Sequence, residues 1–221
     1  MPAPLLLLLT VLLGAPLSAR ADDLIMLLEA RACPNCTLAD ADLVHADLRD
    51  ANLNAADLRR ANLSRARLDG ADLRNAGLRF SNLKGASLRG SDLRGAWLDG
   101  TALRQADLSG SLINPGALDR SHWLGAMGIN QGLRSPASLH NAGVDEANAG
   151  RWPQAERLFE EAIQADPEQA MSWVARGLSR GQQGDEAKAA KDLLHAADLL
   201  DRKGAPKQSD HIRQTKLNAV S

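Results

Sequence analysis

The stretch Ala46-Asp47-Leu48-Arg49-Asp50-Ala51-Asn52-Leu53-Asn54-Ala55-Ala56-Asp57-Leu58 decides the fold, because its pattern returns every five residues. Outward from it, leucine holds every fifth place from Leu38 to Leu108, and Ile113 and Leu118 extend the series. Two residues before each of these stands a small side chain, from Cys36 and Ala41 through Ser81, Ser91 and Thr101 to Ser111 and Gly116. Neither regular element can use this period. On an α-helix five residues advance the side chain by about 140° beyond a full turn, so the leucines would spiral round every face. On a straight strand an odd spacing sends successive leucines to opposite faces. The chain must turn a corner within each repeat so that every leucine points to one shared interior. That is a solenoid, whose units bury nothing alone and need their neighbours.

Composition agrees. The 221 residues include 38 Leu and 38 Ala but only 5 Val, 5 Ile, 2 Phe, 4 Trp and no Tyr. Ordinary β-sandwiches and parallel sheets draw their strands from β-branched and aromatic residues, so both are poor candidates. A net charge of -1 supplies no basic field for nucleic acid or an anionic membrane. Scarce aromatics remove the stacking platform that single-stranded nucleic acids require.

The segment resembles the pentapeptide-repeat family, whose consensus is A(D/N)LXX. The match is literal in Ala46-Asp47-Leu48, Ala51-Asn52-Leu53, Ala56-Asp57-Leu58, Ala61-Asn62-Leu63, Ala71-Asp72-Leu73 and Ala106-Asp107-Leu108. The resemblance implies a right-handed quadrilateral β-helix over residues 36–125, with four repeats per coil and the Leu and small residue inward. Seventeen repeats from Leu38 to Leu118 would make a stack only about 20 Å long. Some members of that family imitate DNA and act on topoisomerases, which requires a strongly negative surface. Here 10 acidic side chains face 11 basic ones between Leu38 and Leu118, so charge disfavours that reading. Asp-Leu-Arg recurs at 47–49, 57–59, 72–74 and 92–94, which places Asp and Arg beside each other on the outer face. Trp97 is an aromatic at an outward position.

Both ends of an open solenoid need covers. Residues 22–35 are expected to cap the first coil, with a short amphipathic helix over Leu24 to Ala32 carrying Leu24, Ile25, Leu27 and Leu28. Before it, residues 1–21 contain the apolar run Leu5 to Leu13 and then Ala19-Arg20-Ala21, a small-x-small cleavage signature, and read as a secretory signal peptide. The expected location is therefore the periplasm or an equivalent exported compartment. Cys33 and Cys36 are the disulfide candidates, since export permits a disulfide. A buried thiol pair, a redox-active pair and a metal site are the alternatives. Two thiols alone make an incomplete zinc site, and no metal is expected.

From Pro136 the sequence changes to helix-forming residues and a second period, 34. Residues 126–135 read as a linker, 136–203 as two units and 204–221 as a C-terminal solvating helix or tail. Gly143 aligns with Gly177, Gly150 with Gly184, Ala155 with Ala189, Phe159 with Leu193 and Ala162 with Ala196. This resembles the tetratricopeptide repeat (TPR), with Trp173 and Pro167 at its aromatic and proline places. The resemblance implies helices near 137–149, 153–165, 171–183 and 187–201, with an end helix over Ser209 to Val220. It also implies a peptide-binding concave face carrying His140, Val144, Asn148, Met171, Val174, Leu178 and Gln182. The expected fold is thus multidomain β + α: the β-helix followed by an α-helical TPR solenoid.

His45, His122, His140, His195 and His211 are scattered, and no glycine-rich phosphate loop, nucleophile elbow or HExxH occurs. No catalytic residue and no cofactor are expected. The reading is a non-enzymatic exported scaffold for a protein or peptide partner, with self-association possible and no nucleic acid. The alternatives are a topoisomerase modulator and a thiol-disulfide accessory protein.

Overall fold

The protein, seen as a computed structural model, is described over residues 17–219. The apolar run Leu5 to Leu13 lies outside the described residues. The chain divides into two units, residues 1–114 with 125–128, and residues 115–124 with 129–221.

In the first unit, parallel bridges join residues twenty apart, from Ala32 with Asn52 to Asp107 with Met127. Twenty residues are four pentapeptides, so the coil has four walls. Each wall is a single bridge wide, and among the described residues no extended strand forms. Leu43 through Leu108 at five-residue spacing are all buried in the interior, together with Ala51, Ala56, Ala61, Ala71, Ala76 and Ala106.

The repeat Ala71-Asp72-Leu73-Arg74-Asn75 shows why five residues suffice. The Ala71 N–H closes a turn onto the Leu68 carbonyl at 3.1 Å, and the Asp72 N–H reaches back to Ala51 in the neighbouring coil at 2.9 Å. Leu73 and Asn75 donate forward to the Asp92 and Arg94 carbonyls at 2.8 and 3.1 Å. The fifth N–H, of Arg74, has no carbonyl opposite and donates to Asp72 Oδ1 at 3.1 Å. Asp or Asn before the leucine is thus an acceptor built into the repeat, the local bond that makes these side chains turn-formers. The same bond recurs at Asn52 to Asn54, Asp57 to Arg59, Asn82 to Lys84, Asp92 to Arg94 and Asp107 to Ser109. The second turn residue is left-handed, as a type II turn requires, with φ of 55° at Ala55 and 70° at Gly70.

Where Ser or Thr replaces the inward Ala, its hydroxyl must find an acceptor or be orphaned in a dry core. Ser81 and Ser91 donate to the carbonyls of Leu78 and Leu88, three residues earlier, at 2.7 Å each. Thr101 Oγ1 donates to the Leu78 carbonyl one coil away, also at 2.7 Å.

The limits of the coil differ from those expected. It begins one repeat earlier, because Ala32 pairs with Asn52, and Cys33 fills the interior place that leucine fills elsewhere. The cap is α1, Leu17–Ala30, longer at its start and shorter at its end than expected. Its inner face holds Leu27, fully buried, and Leu24, partly buried, whereas Ile25 and Leu28 are about half exposed. At the other end Pro115, which has no N–H for the ladder, interrupts the repeat, and the inter-coil bonds resume at Met127, whose N–H donates to the Ala106 carbonyl at 2.8 Å. Residues 115–124 then group with the helices, although Ser121 still closes the coil's turn onto the Leu118 carbonyl at 3.1 Å; Leu118 and Trp123 are both buried. Residues 126–135 are not a linker throughout, since Met127 pairs with Asp107 and Gln131–Leu133 form a 3-10 turn.

The second unit contains α2, Pro136–Asn148; α3, Trp152–Ala165; α4, Ala170–Gln182; α5, Glu186–Arg202; and α6, Pro206–Ala219. Each packs on the next in sequence, and α2 also meets α4. The starts of α2 and α4 are 34 residues apart (136 and 170), as are those of α3 and α5 (152 and 186). The aligned small residues sit where helices cross. A Cβ on Gly143 would come 2.5 Å from the Phe159 ring, and one on Gly177 would meet the Ala189 carbonyl at 3.1 Å and Leu193 at 3.2 Å. An ionic cluster ties α3, α4 and α5 together. Arg176, nearly buried on α4, makes a paired contact to Asp192 on α5 at 2.7 and 2.8 Å and bonds Glu160 on α3. Arg180 bridges Asp192 and Glu156, each at 2.8 Å. Trp173 stacks over Arg176 at 4.6 Å and donates its indole N–H to the Pro167 carbonyl at 2.9 Å.

Two predictions follow from these bonds. Asp72 also pairs with the Arg74 guanidinium, which holds its carboxyl down to about 2. A value below that of the unfolded chain means that the stabilisation is complete above about pH 4 and is lost as pH falls through about 2. Asp72→Asn should keep the backbone acceptor and cost less than about 1 kcal/mol at neutral pH. Asp72→Ala should cost roughly 1 kcal/mol more, both measured by urea denaturation. In the helical unit, Asp192→Ala removes the carboxylate shared by Arg176 and Arg180, leaves each with its α3 partner Glu160 or Glu156, and should destabilise by about 1–3 kcal/mol on the same assay.

Candidate functional site

The helical unit carries a groove of about 730 Å³ floored by Met171, Val174 and Leu178 of α4, Leu193 and Leu200 of α5, and Ile212 of α6. Lys207, Gln208 and His211 of α6 stand along it. Met171 and Leu178 are 54% and 49% exposed, unusual for large apolar side chains seven residues apart on one helix face. The groove exists because α4 turns its other face, with Arg176, Gly177 and Ser179 buried, against its neighbours. Its apolar floor with a few polar side chains at one wall is the usual character of a ligand cleft.

Of the seven residues expected on a binding face, Met171, Val174 and Leu178 line this groove and the other four do not. His140 is engaged in helix packing: its Nδ1 lies 3.0 Å from Ser172 Oγ, and its ring is 5.5 Å from that of Phe159. Burial pushes its pKa below the usual value. Val144 is partly buried on α2, while Asn148 and Gln182 are exposed at the ends of α2 and α4. The wall supplied by α6 was not anticipated, because that helix has no counterpart inside the 34-residue repeat. The remaining histidines are dispersed: His122 pairs with Asp145 at 2.6 Å, His195 lies against Trp173, and His45 is exposed on the coil.

The first unit presents two further features. Cys33 and Cys36 are bonded to each other, with Cα atoms 5.4 Å apart, and both are buried. The loop joins two adjacent repeats of the first coil. The contact to the cap comes instead from Asp23 of α1, whose Oδ2 accepts the Thr37 N–H at 2.8 Å and whose carbonyl oxygen lies 3.2 Å from Cys33 Sγ. Farther along, Trp97 is 55% exposed with the Arg79 guanidinium 4.2 Å over its ring, and Arg79 pairs with Asp99 at 3.0 Å. All four Asp-Leu-Arg triplets close their own ion pair at 2.6 Å, so the coil surface is charge-balanced locally as well as in sum. Among the described residues no helix is long and apolar enough to cross a membrane.

Residues 36–75 and 71–110 match the family model of pentapeptide repeats. No curated protein matches the chain. A pentapeptide repeat protein of the Arabidopsis thaliana thylakoid lumen is 26% identical, with 44% of this chain and 68% of that one covered and a TM-score of 0.34. One from Nostoc PCC 7120 is 38% identical over 43% of this chain and 75% of its own, with a TM-score of 0.30. A third, from the cyanobacterium Cyanothece 51142, is 28% identical over 48% and 93%, with a TM-score of 0.21. All three likenesses span less than half of this chain.

The environment of His140 makes the helical unit sensitive to pH. With its folded pKa below that of the unfolded chain, the native state binds fewer protons, so stability should fall as pH drops below about 6.5. Urea denaturation followed by tryptophan fluorescence should show this loss between about pH 7 and pH 5, and His140→Gln should flatten it.

Proposed function

Residues 36–110 belong to the pentapeptide-repeat family, and from that premise we propose that the chain is a non-catalytic, exported interaction scaffold. The coil is its rigid body, and a pair of tetratricopeptide-type units supplies the site that takes a peptide or protein partner. The observation that carries this reading is the groove of about 730 Å³ with half-exposed Met171 and Leu178 on its floor. Apolar anchors of a partner segment would displace water from that floor, at roughly 25 cal/mol per Å² of apolar surface buried. The tetratricopeptide assignment is supported by the 34-residue offset of helix starts, by Gly143 against Phe159 and Gly177 against Leu193, and by the Trp173 to Pro167 bond.

Export rests on the sequence of residues 1–21. Cleavage after Ala21 would leave Asp22 and Asp23 in the first turn of the shortened α1, where acidic side chains favour a helix N-terminus. A topoisomerase modulator fits less well, because a balanced coil surface offers no duplex-like field. Thiol exchange with a protein partner fits less well too, because neither Cys33 nor Cys36 presents an exposed sulfur.

A peptide library selected on the immobilised whole protein should yield sequences with apolar anchors, and their binding should drop at least about tenfold in Met171→Glu with Leu178→Glu. Trp97→Ala, on the coil, should bind them unchanged. Undiminished binding by the double variant would sink the groove assignment. Amino-terminal sequencing of the exported protein should begin at Asp22, and a cytoplasmic chain with Met1 intact would refute export.

A further inference from the structure

The cap-to-coil junction brings together more chemistry than a structural link needs. The sulfurs of Cys33 and Cys36 and the carboxylate of Asp23 all lie within 4.8 Å of one another. We propose that this trio, once the disulfide is reduced, is a binding site for a thiophilic divalent cation of the zinc type.

A tetrahedral zinc ion with Zn–S bonds of about 2.3 Å and a Zn–O bond of about 2.1 Å separates its ligand atoms by about 3.5–3.8 Å. The carboxylate already lies within 4.8 Å of both sulfurs, which are bonded to each other here, and a Cα separation of 5.4 Å leaves room for them to part by side-chain rotation after reduction. Two soft thiolates select zinc over magnesium or calcium, and a carboxylate completes a three-ligand set with one position left for water. The carboxylate is also held in place: the Thr37 N–H occupies Asp23 Oδ2, which leaves Oδ1 for the metal. Such an outer hydrogen bond is the usual means of orienting a ligand. Burial adds a further argument. Two thiolates at fully and almost fully buried positions would be costly as bare anions, and a dication at their centre removes that cost. Asp23, partly exposed, marks the side from which the ion enters.

The oxidised and metal-bound states exclude each other. A water-soluble phosphine supplies two electrons to the Cys33–Cys36 bond, which becomes two thiols with protons from water, while the phosphine takes the water's oxygen and becomes its oxide. The cation then displaces both thiol protons into solvent. In the oxidised state the sulfurs carry no charge and offer no site. Because Asp23 is on α1 and both cysteines are in the first coil, the bound ion ties cap to coil.

The test uses the whole protein, reduced under inert gas with a water-soluble phosphine, and titrated with Co²⁺ followed by Zn²⁺. One equivalent of Co²⁺ should give a thiolate-to-cobalt charge-transfer band that Zn²⁺ abolishes. Asp23→Asn, with unchanged far-ultraviolet circular dichroism, should bind Co²⁺ at least about tenfold more weakly. The oxidised protein should give no band. Absence of the band in the reduced protein, equal affinity in Asp23→Asn, a band in the oxidised protein, or loss of the fold on reduction would each overturn the proposal.

Discussion

Each repeat has five backbone N–H groups to satisfy, and a coil with four corners leaves one of them facing outward with no carbonyl in reach. The side chain before the leucine closes that gap, as Asp72 does for Arg74. With that bond in place, the leucine is free to point inward, the turn can tighten, and the carbonyls of one coil meet the N–H groups of the next. Repeats with Arg67, Gly77, Trp97 or Ala102 at that place carry no such acceptor and still pair with their neighbours, so the bond reinforces a turn that the inter-coil ladder also holds. The interior accepts only Leu and small residues because the corners are close together. The outer surface becomes charge-balanced because Asp, fixed by the backbone, draws Arg two residues on into a paired contact. Ion pairs on the coil are thus consequences of a turn requirement rather than its cause.

The period of five and its inward leucines were legible because no regular element tolerates that spacing. The limits of the coil were not. Cys33 holds a leucine place but differs in residue type, so the first repeat was hidden behind a cysteine motif. Leu118 and Trp123 keep the spacing, but Pro115 interrupts the repeat before them, and the bond to the previous coil is taken up again at Met127.

The helical unit was legible through its crossings. Gly143 and Gly177 had to be small, and the rings and side chains that need the space are Phe159 and Leu193. The groove was read only in part, through Met171, Val174 and Leu178. His140 looked like a face residue by spacing, but its ring serves the contact among α2, α3 and α4. The wall from α6 lies outside the repeat, so no alignment of the two units could reveal it. Asp23 was missed for a related reason: it is a helix residue ten positions from Cys33, and only the docking of α1 onto the coil brings it to the sulfurs.

The one-bridge walls also fix how far apart in sequence the contacting residues are. Among the described residues every bridge of the coil spans twenty positions, a short and constant separation for β pairing. A β structure usually folds slowly because distant segments must find each other before any pairing forms. Here each coil needs only the one before it, so the chain can wind from the end beneath α1 toward Leu112, with each coil the template for the next. Assembly in that order follows the order of the chain itself, the capped coil first and the helices last.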